Sequence, residues 1–330
     1  MRFVTFEARN RAVAAPGLVV ETGAAGEAPG SVIDLAEAFR ILAALGRLAL
    51  PPDWRASPPS LAAIIAAGEA GLEAVRVVAR ADERELAGAL VPWSEVRLRA
   101  PIERPAKNVF CVGRNYAEHV AEGYRARGQE LKLPEHPQFF TKPRTAVIGP
   151  DAAFPLDENV TQKLDYEVEL AVIIGTTGRD IPAARAYDHV FGYTILNDIT
   201  ARDLQRRHEQ WFKGKALDAS CPMGPWIVHK SAIADPQRLA ISLTVNGETR
   251  QSANTAQMIF PIAQIIEVLS RGMTLEAGDI IATGTPSGVG FAMEPPRFLK
   301  PGDVVECRIE GIGRLATPIV ARSVAVRAAQ

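Results

Sequence analysis

From residue 107 onward the chain is a series of short apolar runs, each closed by Gly, Pro or Asp. They fall at 107–113, 138–142, 164–174, 189–197, 224–229, 240–246, 279–283, 303–309 and 313–322. Runs of this length between turn formers predict strands. Helices do not alternate regularly with them, which argues against a doubly wound parallel sheet, and no 20–50 residue period suggests a repeat array. Two helices are expected in this part. One is "FPIAQIIEVLSRG", with Pro261 early, Ile262, Ile265, Ile266 and Leu269 at helical spacing, and Gly272 as the stop. The other is "TARDLQRRHEQ", from about residue 200. The expected fold class is α+β and β-rich.

The first hundred residues read differently. Short strand-like pieces ("MRFVTFEA", "APGLVVETG") lead to Ala-rich helical stretches at 34–46 and 60–68, broken by "ALPPDWRASPPS". The segment "RLRAPIERPAKN" carries two prolines and several charges ahead of the apolar "VFCVG", so a boundary is expected there. The division is a small α/β domain over 1–100 and a main domain over 105–330. At 47% hydrophobic and 23% charged residues the chain has enough apolar material for a sizeable core. A net charge of -1 gives no basic excess, which argues against nucleic acid or a membrane surface as partner and leaves a small molecule. Cys111, Cys221 and Cys307 are too scattered for a disulfide framework or a zinc knuckle. With no apolar stretch of ~18 residues and no apolar leader in "MRFVTFEARNR", the expected location is the cytoplasm.

The strand-like "LDYEVELAVIIG" carries three carboxylates into a core. Glu167 and Glu169, two apart on a strand, present both side chains to one side and could each give an oxygen to one cation. A Glu-x-Glu alone reads as a solvated strand face. Asp198, where "VFGYTILND" stops, changes that reading, because ligands gather at strand ends and it supplies a third carboxylate. Three carboxylates with no His close in sequence match a hard octahedral ion, Mg²⁺ or Mn²⁺, better than Zn²⁺. Asp165 is left at the edge of this set. Thr200 is expected to cap the following helix, with Asp203 as its capping-box partner.

In "VGRNYAEHVAEGYR" Asn115 is expected to cap a short helix with Glu118 as its partner. His119 and Glu122 share one face of that helix, where the carboxylate could hold the imidazole's tautomer so that it activates a water. A His-x-x-Glu is as a rule an ordinary surface pair. The polar "GYRARGQELKLPEHPQ" after it would suit a lid. Arg202 and Gln205, three apart, could project over the metal, and Lys142 and Lys215 could neutralise an anionic substrate. "ATGTPSGVG" lacks a Gly-Lys-Ser/Thr ending and runs into "FAMEPP", so it is a poor nucleotide loop. Its Thr283 and Thr285 could instead offer donors to a carboxylate.

Taken in order, "VGRNYAEH", "FTKPRTAVIGP", "DYEVELAVIIG", "GYTILNDITARDLQ", "FKGKALDASCPMGPW" and "TGTPSGVG" resemble the fumarylacetoacetate hydrolase family over roughly 105–322. The resemblance implies a mixed β-roll or sandwich with the metal in its mouth, and a homodimer holding one Mg²⁺ or Mn²⁺ per subunit. It implies Glu167, Glu169 and Asp198 as metal ligands, His119 and Glu122 as the water-activating dyad, and Lys215 as a catalytic cation. Lys142, Arg202, Gln205 and Thr283 match the substrate-binding positions. "FCVGRN" lacks the acid that the hydrolases of tyrosine degradation carry before the His, and Ala219 stands where they have Thr. Both departures point to the shorter bacterial-type branch, here with an N-terminal extension.

The expected activity is hydrolysis of a carbon–carbon bond in an acylpyruvate-type 2,4-dioxo acid, with water activated by His119 and the pyruvate enolate leaving onto the metal. Two rivals stand beside it. The same site could serve an oxaloacetate-type decarboxylase, or an isomerase or hydratase of ring-cleavage dioxo acids. A non-catalytic binder of divalent cations and 2-oxo acids is the other, and it would not need a base.

Overall fold

The computed structural model describes residues 1–9, 11–21 and 29–322. The end of "APGLVVETG" and residues 323–330 of the expected main domain lie outside the described residues.

Among the described residues a twelve-stranded sheet carries the fold. Its middle runs Cys221–His229, Val190–Asn197, Val168–Ile174, Ile280–Ala282, each strand antiparallel to the next. On one side Arg2–Ala8 pairs antiparallel with Cys221–His229 and continues to Arg11–Val20, Ser31–Asp34 and Leu90–Pro92. On the other, Val109–Gly113 joins Ile280–Ala282 in parallel and then pairs with Gln138–Lys142. A second sheet of five strands runs Glu248–Asn254, Ala240–Val245, Val304–Ile309, Gly313–Ala321, Phe154–Leu156. The chain is thus β-rich α+β.

The wholly apolar end of "LDYEVELAVIIG" follows from where its strand sits. Val168, Leu170, Val172 and Ile174 face one core, which they share with the five-stranded sheet and the helix Ile262–Ser270. Ala171 and Ile173 face the other, with the helices Leu35–Ala44, Leu61–Ala66 and Gly68–Ala79. Alternate side chains enter opposite cores, so the stretch Leu170–Ile174, covered on both faces beyond Glu169, is apolar at every position. Burying each large aliphatic side chain there contributes about 1.5–3 kcal/mol.

Local signals account for several ends. Asp34 accepts a hydrogen bond from the Glu37 amide at 3.1 Å and caps Leu35–Ala44. Ile262–Ser270 starts directly after Pro261, and Gly272 follows it with φ 74°. Two caps expected from sequence differ. Asn115 caps nothing: its side chain donates to Phe260 O and Thr283 O and accepts from the Phe260 amide, tying three loops together. Thr200 donates to Asp198 O, and the helix Arg202–Arg207 begins at Ala201 without a side-chain cap. In both cases a partner distant in sequence, or one brought close by a turn, displaces the local bond. The three cysteines are buried free thiols. No helix among the described residues is long and apolar enough to cross a membrane.

Candidate active site

The strand that begins at Leu164 is interrupted. Leu164–Asp165 pairs with Thr200–Ala201, Val168–Ile174 pairs with Val190–Asn197, and Tyr166 and Glu167 lie between. At the gap the Asp198 amide donates to Glu167 O at 2.8 Å and the Glu167 amide donates to Asn197 Oδ1 at 3.1 Å. The break therefore places Glu167 beside Asp198, with Glu169 one register further along. Each of the three offers a carboxylate oxygen within 4.8 Å of the others, and all are buried.

Cations clamp this floor. Lys215 Nζ donates to Glu167 Oε2 at 2.7 Å and Asp198 Oδ2 at 2.6 Å, and lies over the Phe140 ring. Two of its three N–H donors are spent and one remains. Lys142 Nζ donates to Asp198 Oδ1, Ile199 O and Lys215 O, which exhausts the ammonium. Lys142 is fully buried beneath Asp198 rather than on the cavity wall; it holds that carboxylate in place and has no donor left for a substrate. Arg202 Nε donates to Asp165 Oδ2 at 2.8 Å, and Arg202 Nη2 stands 2.7 Å from Glu167 Oε1 with an angle poor for a hydrogen bond. Asp165, left at the edge by sequence, also accepts from the Gly290 and Phe291 amides and so fixes the turn whose Phe291 ring covers the Arg202 guanidinium.

The acids differ electrostatically. Burial alone would push the Glu167 carboxyl up, but Lys215 and Arg202 overcome it and hold it well below the usual range. Glu169 goes the other way: burial, then the charges of Asp198 and Glu167, push it well above that range, and Lys215 and the Gly284 amide offset this only in part. Its Oε2 accepts from Gly284 N at 2.7 Å, yet no cationic side chain among the described residues pairs with it. Four buried carboxylates, Asp165, Glu167, Glu169 and Asp198, face three cations, Lys142, Lys215 and Arg202. One carboxyl, Glu169, is left without a cationic partner and its charged form is disfavoured, so it is where a hard cation fits.

Above the floor is a cavity of about 370 Å³. His119, on the helix Ala117–Arg125, stands in its wall, with Nδ1 2.8 Å from Glu122 Oε1. Glu122 Oε2 accepts from the Gly288 amide at 2.8 Å, so the carboxylate is held from two sides. With the Nδ1 proton donated to Glu122, Nε2 is the free acceptor. Gln205 and Lys215 also reach the cavity. Thr283 does not: its hydroxyl donates to Leu170 O at 2.9 Å in the sheet. Thr285 lines the cavity instead, and its Oγ1 accepts from Gln251 Nε2, leaving its proton to donate. Sequence spacing did not single out Arg114, Arg127, Arg206 or Trp211, which also line the cavity. They come from separate segments, and only the fold brings them together.

Fold and site together define a class: a sheet-rich α+β enzyme built around a buried carboxylate triad able to hold a metal. The model of the fumarylacetoacetate (FAA) hydrolase C-terminal family matches residues 108–320. The chain belongs to the fumarylacetoacetate hydrolase family. It is similar to oxaloacetate tautomerase YisK of Bacillus subtilis (strain 168), at 47% identity over 322 residues covering 97% of this chain and 100% of that protein. It is also similar to the mitochondrial oxaloacetate tautomerase FAHD2A of Bos taurus, at 41% identity over 324 residues covering 97% and 92%. Among solved structures, a fumarylacetoacetate hydrolase from the psychrophilic Exiguobacterium antarcticum superposes with a TM-score of 0.73 at 39% identity, covering 98% of this chain and 100% of that one.

These relatives correct the expected activity. Hydrolysis of a carbon–carbon bond in an acylpyruvate does not stand, because YisK and FAHD2A, each aligned over 97% of this chain at 47% and 41% identity, are named as oxaloacetate tautomerases. The sequence could not separate the two: a His–Glu pair facing a cation site can activate water or take a proton from carbon with the same side chains. The finding favours the rival that placed oxaloacetate at the same site.

Proposed function

We propose that the enzyme interconverts the keto and enol forms of oxaloacetate, with one Mg²⁺ or Mn²⁺ per subunit held by Glu167, Glu169 and Asp198. The observation that carries this is His119, oriented by Glu122, in the wall of a cavity floored by that triad. Tautomerisation needs a base at C3 and positive charge at the 2-oxo oxygen, and it needs no water. The names of the relatives support the substrate.

A divalent cation, when bound, supplies Lewis-acid polarisation of the 2-oxo group. His119 Nε2 takes a proton from C3; the C–H electron pair becomes the C2=C3 bond, and the carbonyl pair moves to oxygen. The remaining N–H of Lys215 meets that oxygen, and the proton on His119 passes to it directly or through water, so the atoms balance. Arg202 and Gln205 orient the C1 carboxylate, with Thr285 as a further donor. Lys142 acts through Asp198, and Thr283 through the loop carrying Gly284. The first hundred residues are proposed as a structural extension; the cavity-lining residues begin at Val112, which supports that reading. A homodimer working in the cytoplasm completes the proposal, and sedimentation checks the assembly.

The test adds enol oxaloacetate to enzyme loaded with Mg²⁺ or Mn²⁺ and follows enol absorbance and CO₂ release separately. Enol loss faster than with metal alone, without matching CO₂, is the expected result. Matching CO₂ release would reassign the enzyme as a decarboxylase, and no acceleration would overturn the reading.

A further inference from the structure

The cavity mouth carries positive charge that the protein leaves unpaired. Arg114, Arg127 and Arg206 all line it, and among the described residues none forms an ion pair with a carboxylate. Arg114 and Arg127 both lie against the Tyr124 ring, at 5.6 and 5.2 Å, and Arg114 also lies 5.4 Å from the Trp211 ring. Arg127 Nε donates to the neutral Gln129 Oε1 at 3.0 Å. Glu209, the rim carboxylate, pairs with none of them. Aromatic faces hold the planar guanidiniums in place without neutralising them. The backbone at Arg114 has φ 57°, a left-handed conformation that non-glycine residues adopt at a cost and that recurs at binding sites. Burial, then the charges of Arg114, Arg206 and Arg202, lower the Arg127 pKa from its ordinary value, as expected where like charges crowd.

A 2-oxo acid seated by its C1 carboxylate and oxo group on the floor would extend its other end toward this mouth. We infer that Arg114 and Arg127, with Arg206 at the rim, form a subsite for a second carboxylate, so that the site takes 2-oxo dicarboxylates in preference to 2-oxo monocarboxylates. The inference rests on the reading that a 2-oxo acid enters this cavity. Guanidiniums match a carboxylate in a planar, two-pronged geometry that a lysine would not supply. The subsite also gives a reason for three cations to be kept close together without acids: the missing counter-charge arrives with the substrate.

The test needs no turnover. Malate and lactate differ by one carboxylate, and neither has a 2-oxo group to enolise. Calorimetric titration of Mn²⁺-loaded enzyme with each compares them directly. Wild type is expected to bind malate more tightly; Arg127→Gln and Arg114→Gln should each weaken malate about tenfold while lactate moves less than about twofold. Arg127→Lys should recover only part of the loss. If either Gln variant fails to fold, Arg206→Glu at the exposed rim reads the same preference without disturbing packing. Equal affinity for malate and lactate in wild type, or an equal loss of both in the variants, overturns the inference. Tautomerase activity is scored separately: a malate preference that depends on these arginines, in an enzyme that leaves enol oxaloacetate untouched, keeps the subsite and removes the activity reading.

Discussion

The floor and the rim of the cavity manage charge in opposite ways. On the floor Lys142, Lys215 and Arg202 are almost fully buried, and each is paired with Asp165, Glu167 or Asp198. At the rim Arg114, Arg127 and Arg206 reach solvent without a carboxylate partner among the described residues, and Arg114 and Arg127 meet aromatic faces or a neutral amide instead. The floor lies on strand ends between two cores, while His119 lies on a nine-residue helix and is tied down through Glu122. A charge that cannot reach water must be paired by the fold, and one that can reach water is free to wait for a ligand. Floor residues should therefore register first in stability, and rim residues in rate or affinity.

The largest expected effect separates the two regions most sharply. His119→Ala should lower the tautomerisation rate by ~10²–10⁴-fold, the usual share of a positioned general base, while the unfolding free energy changes by less than ~1 kcal/mol. Stopped-flow enol absorbance and a urea melt of the same sample check both halves; an equal collapse of stability would place His119 with the floor. Lys142→Met is the converse. It leaves Asp198 buried with Lys215 alone, which should cost about 3–5 kcal/mol of unfolding free energy, read from the guanidinium midpoint. A variant as stable as wild type would mean that Lys142 does not hold the floor together.

This division also explains what could be read from the sequence. The apolar strand runs matched the sheet closely because a strand buried on both faces has little choice of residue; Val168–Ile174 and Val190–Asn197 are the examples. The polar "ETRQSAN" forms the strand Glu248–Asn254 at the edge of the second sheet, where a partly exposed strand needs no apolar run and leaves no signal. The triad was readable because Glu167 and Glu169 are near neighbours and Asp198 closes an apolar strand. The break at Tyr166–Glu167 was not, since it depends on pairing with two different strands. Asn115 looked like a cap because caps are local, but its partners are Phe260 and Thr283. Lys142 and Thr283 sit in family motifs yet turn inward, and a motif does not show on which side of a strand its side chain points. The arginine mouth, drawn from three segments, has no one-dimensional signature.

The next effect tests the one place where floor pairing is incomplete. Glu169 is the triad carboxylate without a cationic partner, so Mn²⁺ should stabilise the folded chain by mass action, by about 2.7 kcal/mol at a hundred times its Kd. Glu169→Gln should abolish that rise in Tm while leaving the metal-free protein no less stable, because Gln keeps an acceptor for the Gly284 amide and replaces a carboxyl whose charged form burial and its acidic neighbours already disfavour. The same metal-dependent rise in wild type and variant would move the cation away from Glu169.

The smallest effect belongs to a group outside both regions. His229 ends the strand Cys221–His229, is 7% exposed, and has Nδ1 2.8 Å from Ser231 Oγ. Burial first, then the nearby N-terminal ammonium and Lys230, lower its pKa from 6.5 to about 4. Between those values the unfolded chain carries the proton and the folded chain does not. Stability is therefore fully present above pH 6.5 and is lost as the pH falls from 6.5 toward 4. His229→Gln should flatten that part of the curve of unfolding free energy against pH without altering the rate of tautomerisation. An unchanged slope would assign the acid sensitivity in that window to other groups. A change in rate, at a residue on neither floor nor rim, would show that the far end of this strand is coupled to Cys221 and the Lys215 loop beside it, and that the boundary between the two regions is drawn too tightly.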